Sequence, residues 1–256
     1  MNAIRNKNLA ITVLAAGKGK RMKKTGMSKV MTILAGKPLI AHVVEQAKKL
    51  NPNKIVLIVG HKKESVIDYV NNNFNNVEFA EQTDQFGTGH AVAQTENGFS
   101  TYNGDILILS GDVPLLCAET LEKFTEFHYD GKNDLSVLST FTKEPQDYGR
   151  IIRDSNNNFL KIVEEKDAND NEKQIKEING GVYLVKSKLL FNALKQVQNN
   201  NTQNEYYLTD IIEILQKQGY QTGAFAGADI NELQGINSPE DLVLAEKYYR
   251  ENQRNA

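Results

Sequence analysis

The chain has a single cysteine, Cys117, among its 256 residues. It therefore forms no internal disulfide and no thiolate metal cluster of its own, and Cys117 reads as an inert residue at a strand end or helix start. No run of about 20 apolar residues is long enough to span a bilayer. The opening "MNAIRNKN" lacks the apolar centre of a secretory signal, so the expected location is cytoplasmic, with no membrane partner. Positive charge is not in excess, because 30 Lys and Arg face 32 Asp and Glu. That balance provides no general basic field for nucleic acid. His42, His61, His90 and His128 are scattered and form no HxxxH pair, so neither a histidine metal site nor nucleophilic catalysis is indicated. The chain has no internal repeat, and in particular no six-residue apolar period of the kind that builds a left-handed β-helix.

What the first half does contain is alternation. "AITVLA", "KIVLIV", "VEFA" and "DILILS" are each followed by a helical pattern: "PLIAHVVEQAKKL", "KESVIDYVNNNF", "GHAVAQTENGF" and "CAETLEKFTEFH". Near-continuous Ile, Val and Leu in the short runs means burial on both faces, which predicts a wound α/β fold around a mostly parallel sheet. After "DLSVLSTF" the texture changes. "GRIIRDSNNNFLKIVEEKDA" predicts a hairpin turning at Asn156 to Asn158, since Asn tolerates left-handed backbone. "GGVYLV" predicts a strand, followed by helices over "KSKLLFNALKQV" and from "EYYLTDIIEILQKQ", a strand near "YQTGAFA" and a last helix from "SPEDLVLAEKYYRENQ". In that last helix Ser238 serves as cap and Pro239 lies in the first turn.

Net charge hides one strong local asymmetry. Residues 14 to 30, "LAAGKGKRMKKTGMSKV", hold Lys18, Lys20, Arg21, Lys23, Lys24 and Lys29 with no acid. More than twenty residues without clear periodicity separate the first strand from the helix near Pro38, and connections of that length in compact domains are usually functional loops or disorder. Gly17 and Gly19 allow a ligand close to the backbone, and the cations and free amides suit an anion. A position at the carboxyl end of a parallel strand is where wound folds hold ligands. Two common phosphate loops fail on spacing. GxGxxG needs Gly at Met22, and GxxxxGK finds Met22 or Lys24 where its second Gly belongs.

"LAAGKGKRM", "SKVM" and "LAGKPLI" together resemble the signature loop of the sugar-nucleotide pyrophosphorylases, specifically the bacterial N-acetylglucosamine-1-phosphate uridylyltransferases. "EQTDQFGTGHA", "GDVPLL", "YGRI", "IVEEKDA", "EINGG", "EYYLTDII" and "GINS" follow in that family's order. Three positions depart from its pattern: Lys20 replaces a usual Thr, Ser28 a usual Pro and Gly180 a common Thr.

The resemblance implies a Rossmann-like nucleotidyltransferase fold with a smaller β-rich sugar-binding part. It also implies attack of N-acetylglucosamine-1-phosphate on UTP, supported by Mg²⁺. Both reactants are anions, so positioned cations are the appropriate catalysts, and the phosphate nucleophile needs no general base. Arg21 and Lys29 are the expected catalytic cations, one offering a planar fork and the other a compact charge. By the same resemblance Leu14, Ala15, Gly17, Gln82, Gly87, Thr88 and Asp112 bind the nucleotide. Gly149, Glu164, Asn179, Tyr207 and Thr209 bind the sugar, and Asp112 with Asn237 binds the metal. Read without the resemblance, Asp112 is equally a turn former, Asn237 a helix cap, Gly87 an ordinary helix entry and Glu164 an exposed strand charge.

The expected division is a transferase domain over 1–236 and a linker-like helix over 237–256. No β-helix domain and no acetyltransferase activity are expected, and the oligomeric state is left open. Two alternatives remain beside the uridylyltransferase: a related transferase for another base or sugar, and a sugar-nucleotide-binding regulator without turnover.

Overall fold

The computed structural model describes residues 8–17, 19 and 27–255, the side chains of 252–255 excepted. Arg21 and its neighbours Lys18, Lys20, Lys23 and Lys24 lie outside the described residues.

β1 (Leu9–Leu14) opens the sheet. A 3₁₀ turn at Lys29–Met31 and a two-stranded ribbon, β2 (Ile33–Leu34) with β3 (Lys37–Pro38), lead into α1 (Leu39–Lys49). Then come β4 (Lys54–Val59), α2 (Lys63–Asn73), β5 (Val77–Glu81), α3 (Thr88–Ala93), β6 (Asp105–Ser110), α4 (Ala118–Asp130) and β7 (Leu135–Phe141). The second half adds β8 (Arg150–Arg153), β9 (Phe159–Val163), α5 (Asp170–Lys173), β10 (Glu177–Lys186), α6 (Ser187–Leu194), α7 (Ile211–Lys217), β11 (Thr222–Ala226) and α8 (Pro239–Asn255).

The main sheet runs β11-β7-β10-β6-β1-β4-β5, with β8 and β9 branching from β10. Pairings of β1 with β4 and β6, β4 with β5, and β11 with β7 are parallel, whereas β10 is antiparallel to both β6 and β7. This is the expected wound, mostly parallel α/β arrangement. The double-sided burial predicted from the apolar runs holds for β1, β4 and β6, whereas β5, at the edge of the sheet, has no buried residue. Ile55, Leu57 and Val59 of β4 face a core shared with α1, α2 and α4, while Val56 and Ile58 face a second core under α3, α6 and α7. Successive residues of a strand point to opposite faces, so only an unbroken apolar run can serve both cores.

The hairpin turns where expected, β8 pairing antiparallel with β9 and Asn157 taking a φ of 66°. Ser238 caps α8, its Oγ accepting from Asp241 N at 3.1 Å while Asp241 Oδ2 accepts from Ser238 N at 2.9 Å. One helix starts late. "EYY" is not helical: Tyr206 N donates to Phe86 O at 2.7 Å and Tyr206 O accepts from Gly89 N at 2.8 Å. These bonds to the loop before α3 and to its first turn satisfy the backbone in extended form, and α7 begins only at Ile211 after a 3₁₀ turn at Leu208–Asp210. No helix among the described residues is long and apolar enough to cross a membrane.

Candidate functional site

A cavity of about 310 Å³ opens at the carboxyl ends of β1 and β6, where Leu14 pairs with Ser110. Leu14, Ala15, Gly17, Gln82, Gly87, Thr88, Asp112 and Lys29 all line it. The seven positions expected to meet a nucleotide, scattered over about a hundred residues of sequence, thus share one wall with one of the two expected cations. Arg21, the other, lies outside the described residues.

Each wall has a local cause. Gln82 follows β5 and is held by Gln82 N to Val59 O at 2.8 Å. Gly87 has a φ of 111°, and a Cβ there would meet Tyr206 O at 2.6 Å. A side chain is therefore excluded both by strain and by space. Thr88 opens α3, and its Oγ1 accepts from Leu208 N at 3.1 Å, which ties this loop to the "EYYLTD" segment.

Beside the cavity, whose lining includes Lys29 and Asp112, three parts of the chain converge. Lys29 Nζ pairs with Asp112 Oδ2 and donates to Asn237 Oδ1 at 3.0 Å. The lysine side chain is 12 % exposed and that of Asp112 23 %. Ile236 N donates to Asp112 O at 2.9 Å, bringing the distant Asn237 alongside. Two side-chain oxygens, one anionic, are thus aimed at a single positive charge. That donor set suits a hard, oxygen-seeking divalent ion such as Mg²⁺, which needs few protein ligands and keeps waters. Among the described residues no group of three or more His, Cys, Asp or Glu is placed to hold a metal, so a full protein cage of that kind is not on offer.

The expected sugar residues fall beside a second cavity of about 460 Å³, walled in part by Glu164, Tyr207 and Thr209. Thr209 Oγ1 donates to Glu164 Oε1 at 3.2 Å and Gln203 Nε2 to Tyr207 OH at 2.9 Å. Burial pushes the Glu164 carboxyl above the usual range. The Thr209 hydroxyl opposes this, and the carboxylates of Asp210, Asp167 and Glu205 add to it. Gly149 and Asn179 join the same corner, with Asn179 N donating to Gly149 O at 2.9 Å. The carboxamide of Asn179 is engaged within β10, donating to Tyr183 OH at 2.7 Å and accepting from Gly181 N at 2.9 Å.

Sequence reasoning passed over several wall residues. Gln85 donates to Ala16 O at 2.6 Å and, with Glu205, lines the first cavity. Both lie inside motifs quoted above, yet their residue types carry no distinctive spacing. Asp210, whose carboxyl is pushed up to about 6 by burial and then by Glu213 and Asp167, lines the second.

The sequence pattern of the nucleotidyl transferase family matches residues 10–242. Over 243 residues the chain is 44 % identical to the bifunctional protein GlmU of Streptococcus agalactiae, covering 95 % of this chain and 52 % of the relative. Over 236 residues it is 45 % identical to the protein of that name from Lactobacillus delbrueckii subsp. bulgaricus, covering 92 % and 50 %. The chain spans about half the length of these curated relatives. A UDP-glucose pyrophosphorylase solved with UDP-glucose shares the fold, with a TM-score of 0.78 at 20 % identity over 95 % of this chain and 98 % of that one. With a wound sheet that ends in a cavity bordered by Lys29 and a family pattern running almost from end to end, this chain belongs to the nucleotidyl transferase family.

Proposed function

We propose that the chain transfers a uridylyl group from UTP to N-acetylglucosamine-1-phosphate, giving UDP-N-acetylglucosamine and pyrophosphate. The observation that carries this reading is the convergence of Lys29, Asp112 and Asn237 beside a cavity lined by the residues expected to meet the nucleotide. In the reaction a phosphate oxygen of the sugar-1-phosphate attacks the α-phosphorus of UTP. The bond from that phosphorus to the bridging oxygen breaks, and pyrophosphate leaves with the electron pair.

The nucleophile is already an anion, so the chain's task is to hold two negative partners in line and offset their repulsion. Lys29 supplies a compact charge at the triphosphate, and Arg21 is assigned a second. Asp112 and Asn237 would hold Mg²⁺, which when bound neutralises phosphate charge and orients the leaving group. Gln82, with the backbone of Leu14 to Gly17 and Gly87, offers donors and acceptors to the base. Glu164, Thr209 and Tyr207 offer the same to sugar hydroxyls, with Gly149 and Asn179 shaping the corner behind them. The second half of the bifunctional relatives is no part of this assignment, which concerns 1–236 as the transferase body and 237–256 as its terminal helix.

The test is pyrophosphate release with magnesium, across the four nucleoside triphosphates and with N-acetylglucosamine-1-phosphate against glucose-1-phosphate. UTP with N-acetylglucosamine-1-phosphate should be the best pair. A different preferred pair would reassign the substrate, and silence with every pair would favour a binding protein.

A further inference from the structure

Gln82 is 4 % exposed and borders the cavity assigned to the nucleotide. A primary amide can present either its oxygen or its nitrogen to a base, and two neighbours determine which. Gly87 O lies 3.1 Å from Nε2. A carbonyl oxygen only accepts, so the amide nitrogen must stand there. The second neighbour is His90, whose Nδ1 lies 3.1 Å from the same Nε2.

On the far side of the ring, His90 Nε2 is 3.2 Å from Gln94 Nε2, and that nitrogen also donates to His90 O at 3.0 Å. Two amide nitrogens therefore flank one imidazole, while a neutral imidazole has a single lone-pair nitrogen. The ring can accept from Gln82 or from Gln94, not from both. Gln94 is partly exposed, so water can take its spare N–H. Gln82 has no such outlet, and an unmet buried donor is the costlier loss. The contest resolves with Nδ1 accepting from Gln82 and the ring proton on Nε2. Phe86 packs edge-on against the ring at 5.2 Å between centroids and Tyr206 lies at 6.5 Å, which fixes its plane.

We propose that His90, in its Nε2–H tautomer, is a positioning residue that locks the Gln82 amide nitrogen toward Gly87 and so leaves Oε1 as the atom offered to the base. Among the described residues no donor is bonded to Oε1. An acceptor there matches the N3–H of uracil and repels cytosine, whose N3 is itself an acceptor. Selection of UTP over CTP thus depends on a histidine that need not touch the nucleotide. The inference rests on the uridylyl-transfer reading.

Two measurements test it. In the ligand-free chain with ¹⁵N-labelled histidines, in mildly alkaline buffer, His90 should show a pyridine-like Nδ1 and a pyrrole-like Nε2; the reverse pattern overturns the proposal. In turnover, His90→Leu should lower the UTP-to-CTP preference by about tenfold, the scale of one lost orienting hydrogen bond, chiefly through the KM for UTP. His90→Asn, whose Oδ1 can stand in for Nδ1, should keep the preference. An unchanged preference in His90→Leu, or an equal loss in both variants, overturns the assignment. A wild-type chain that turns over no nucleotide overturns the broader reading and with it the selection of UTP, while the tautomer, measured without substrate, tests the hold of His90 on Gln82 separately.

Discussion

The guanidinium of Arg150 donates from Nη2 to Glu165 Oε2 at 2.6 Å, with the arginine side chain 1 % exposed and the glutamate 23 %. Nη1 donates to Tyr148 O, and Nε is buried without a partner. This pair joins the start of β8 to the segment after β9. Gly149 and Glu164, the immediate neighbours of the two residues, belong to the corner assigned to the sugar.

Arg150→Met should therefore do two things. It should lower unfolding free energy by about 3 kcal/mol, the scale for removing one partner of a buried pair, as read by urea denaturation. In turnover it should raise the KM for the sugar phosphate more than that for UTP, because the strap lies on the sugar side. An equal rise in both would mean a general loosening of the fold.

Lys29→Ala should reduce turnover roughly 10²- to 10³-fold, the range for removing one electrostatic stabiliser, with the circular dichroism spectrum unchanged. Asp112 and Asn237 then lose the ammonium they share. Calorimetry should accordingly find tighter magnesium binding in the variant without nucleotide than in the wild type.

The Asp210 carboxyl, pushed up to about 6, gives a pH signature. The folded chain holds this proton more tightly than the unfolded chain, so the group contributes stability below about pH 4 that is lost as the pH rises through about 6. Asp210→Asn removes that loss. At about pH 7.5 the variant should be more stable by about 1 kcal/mol after allowing for solvent screening, and at about pH 4 the difference should vanish. Denaturation curves at the two pH values check both halves.

Ser28→Pro should stabilise the chain by about 0.5–1 kcal/mol, by restricting the unfolded state. Ser28 already has the proline-like angles φ −61° and ψ 143°, and its hydroxyl is buried without a partner. Thermal denaturation is the measurement, and a lower midpoint would refute it.

Ser28 also illustrates what a sequence can reveal and what it hides. Its departure from the family pattern was visible in the letters, but the orphaned hydroxyl was not. Gly180 is similar: a Cβ there would meet Leu138 O and Leu233 Cδ1, each at 2.8 Å. A side chain there would press on the backbone carbonyl of Leu138 in the neighbouring strand β7, a contact that no local pattern announces.

The strands β1, β4 and β6 were legible because burial on both faces demands an unbroken apolar run, and a single strand's composition carries that demand. The extended course of "EYY" was not, because its backbone partners are Phe86 and Gly89, and its own composition suits a helix. Through motif order the resemblance named residues for nucleotide and sugar, and the structure gathers the first set along one cavity and Glu164, Tyr207 and Thr209 of the second along another. The engagement of Asn179 with Tyr183 and Gly181, like the ring that orients Gln82, exists only once the strands and loops have met.

The bond from Lys29 to Asn237 links positions 208 residues apart in the chain. During synthesis the first strand and its cationic loop leave the ribosome long before that asparagine is made. A growing polypeptide can already have shaped the cavity while the oxygen pair beside Lys29 stays incomplete, and that pair closes only after Asn237 has been made.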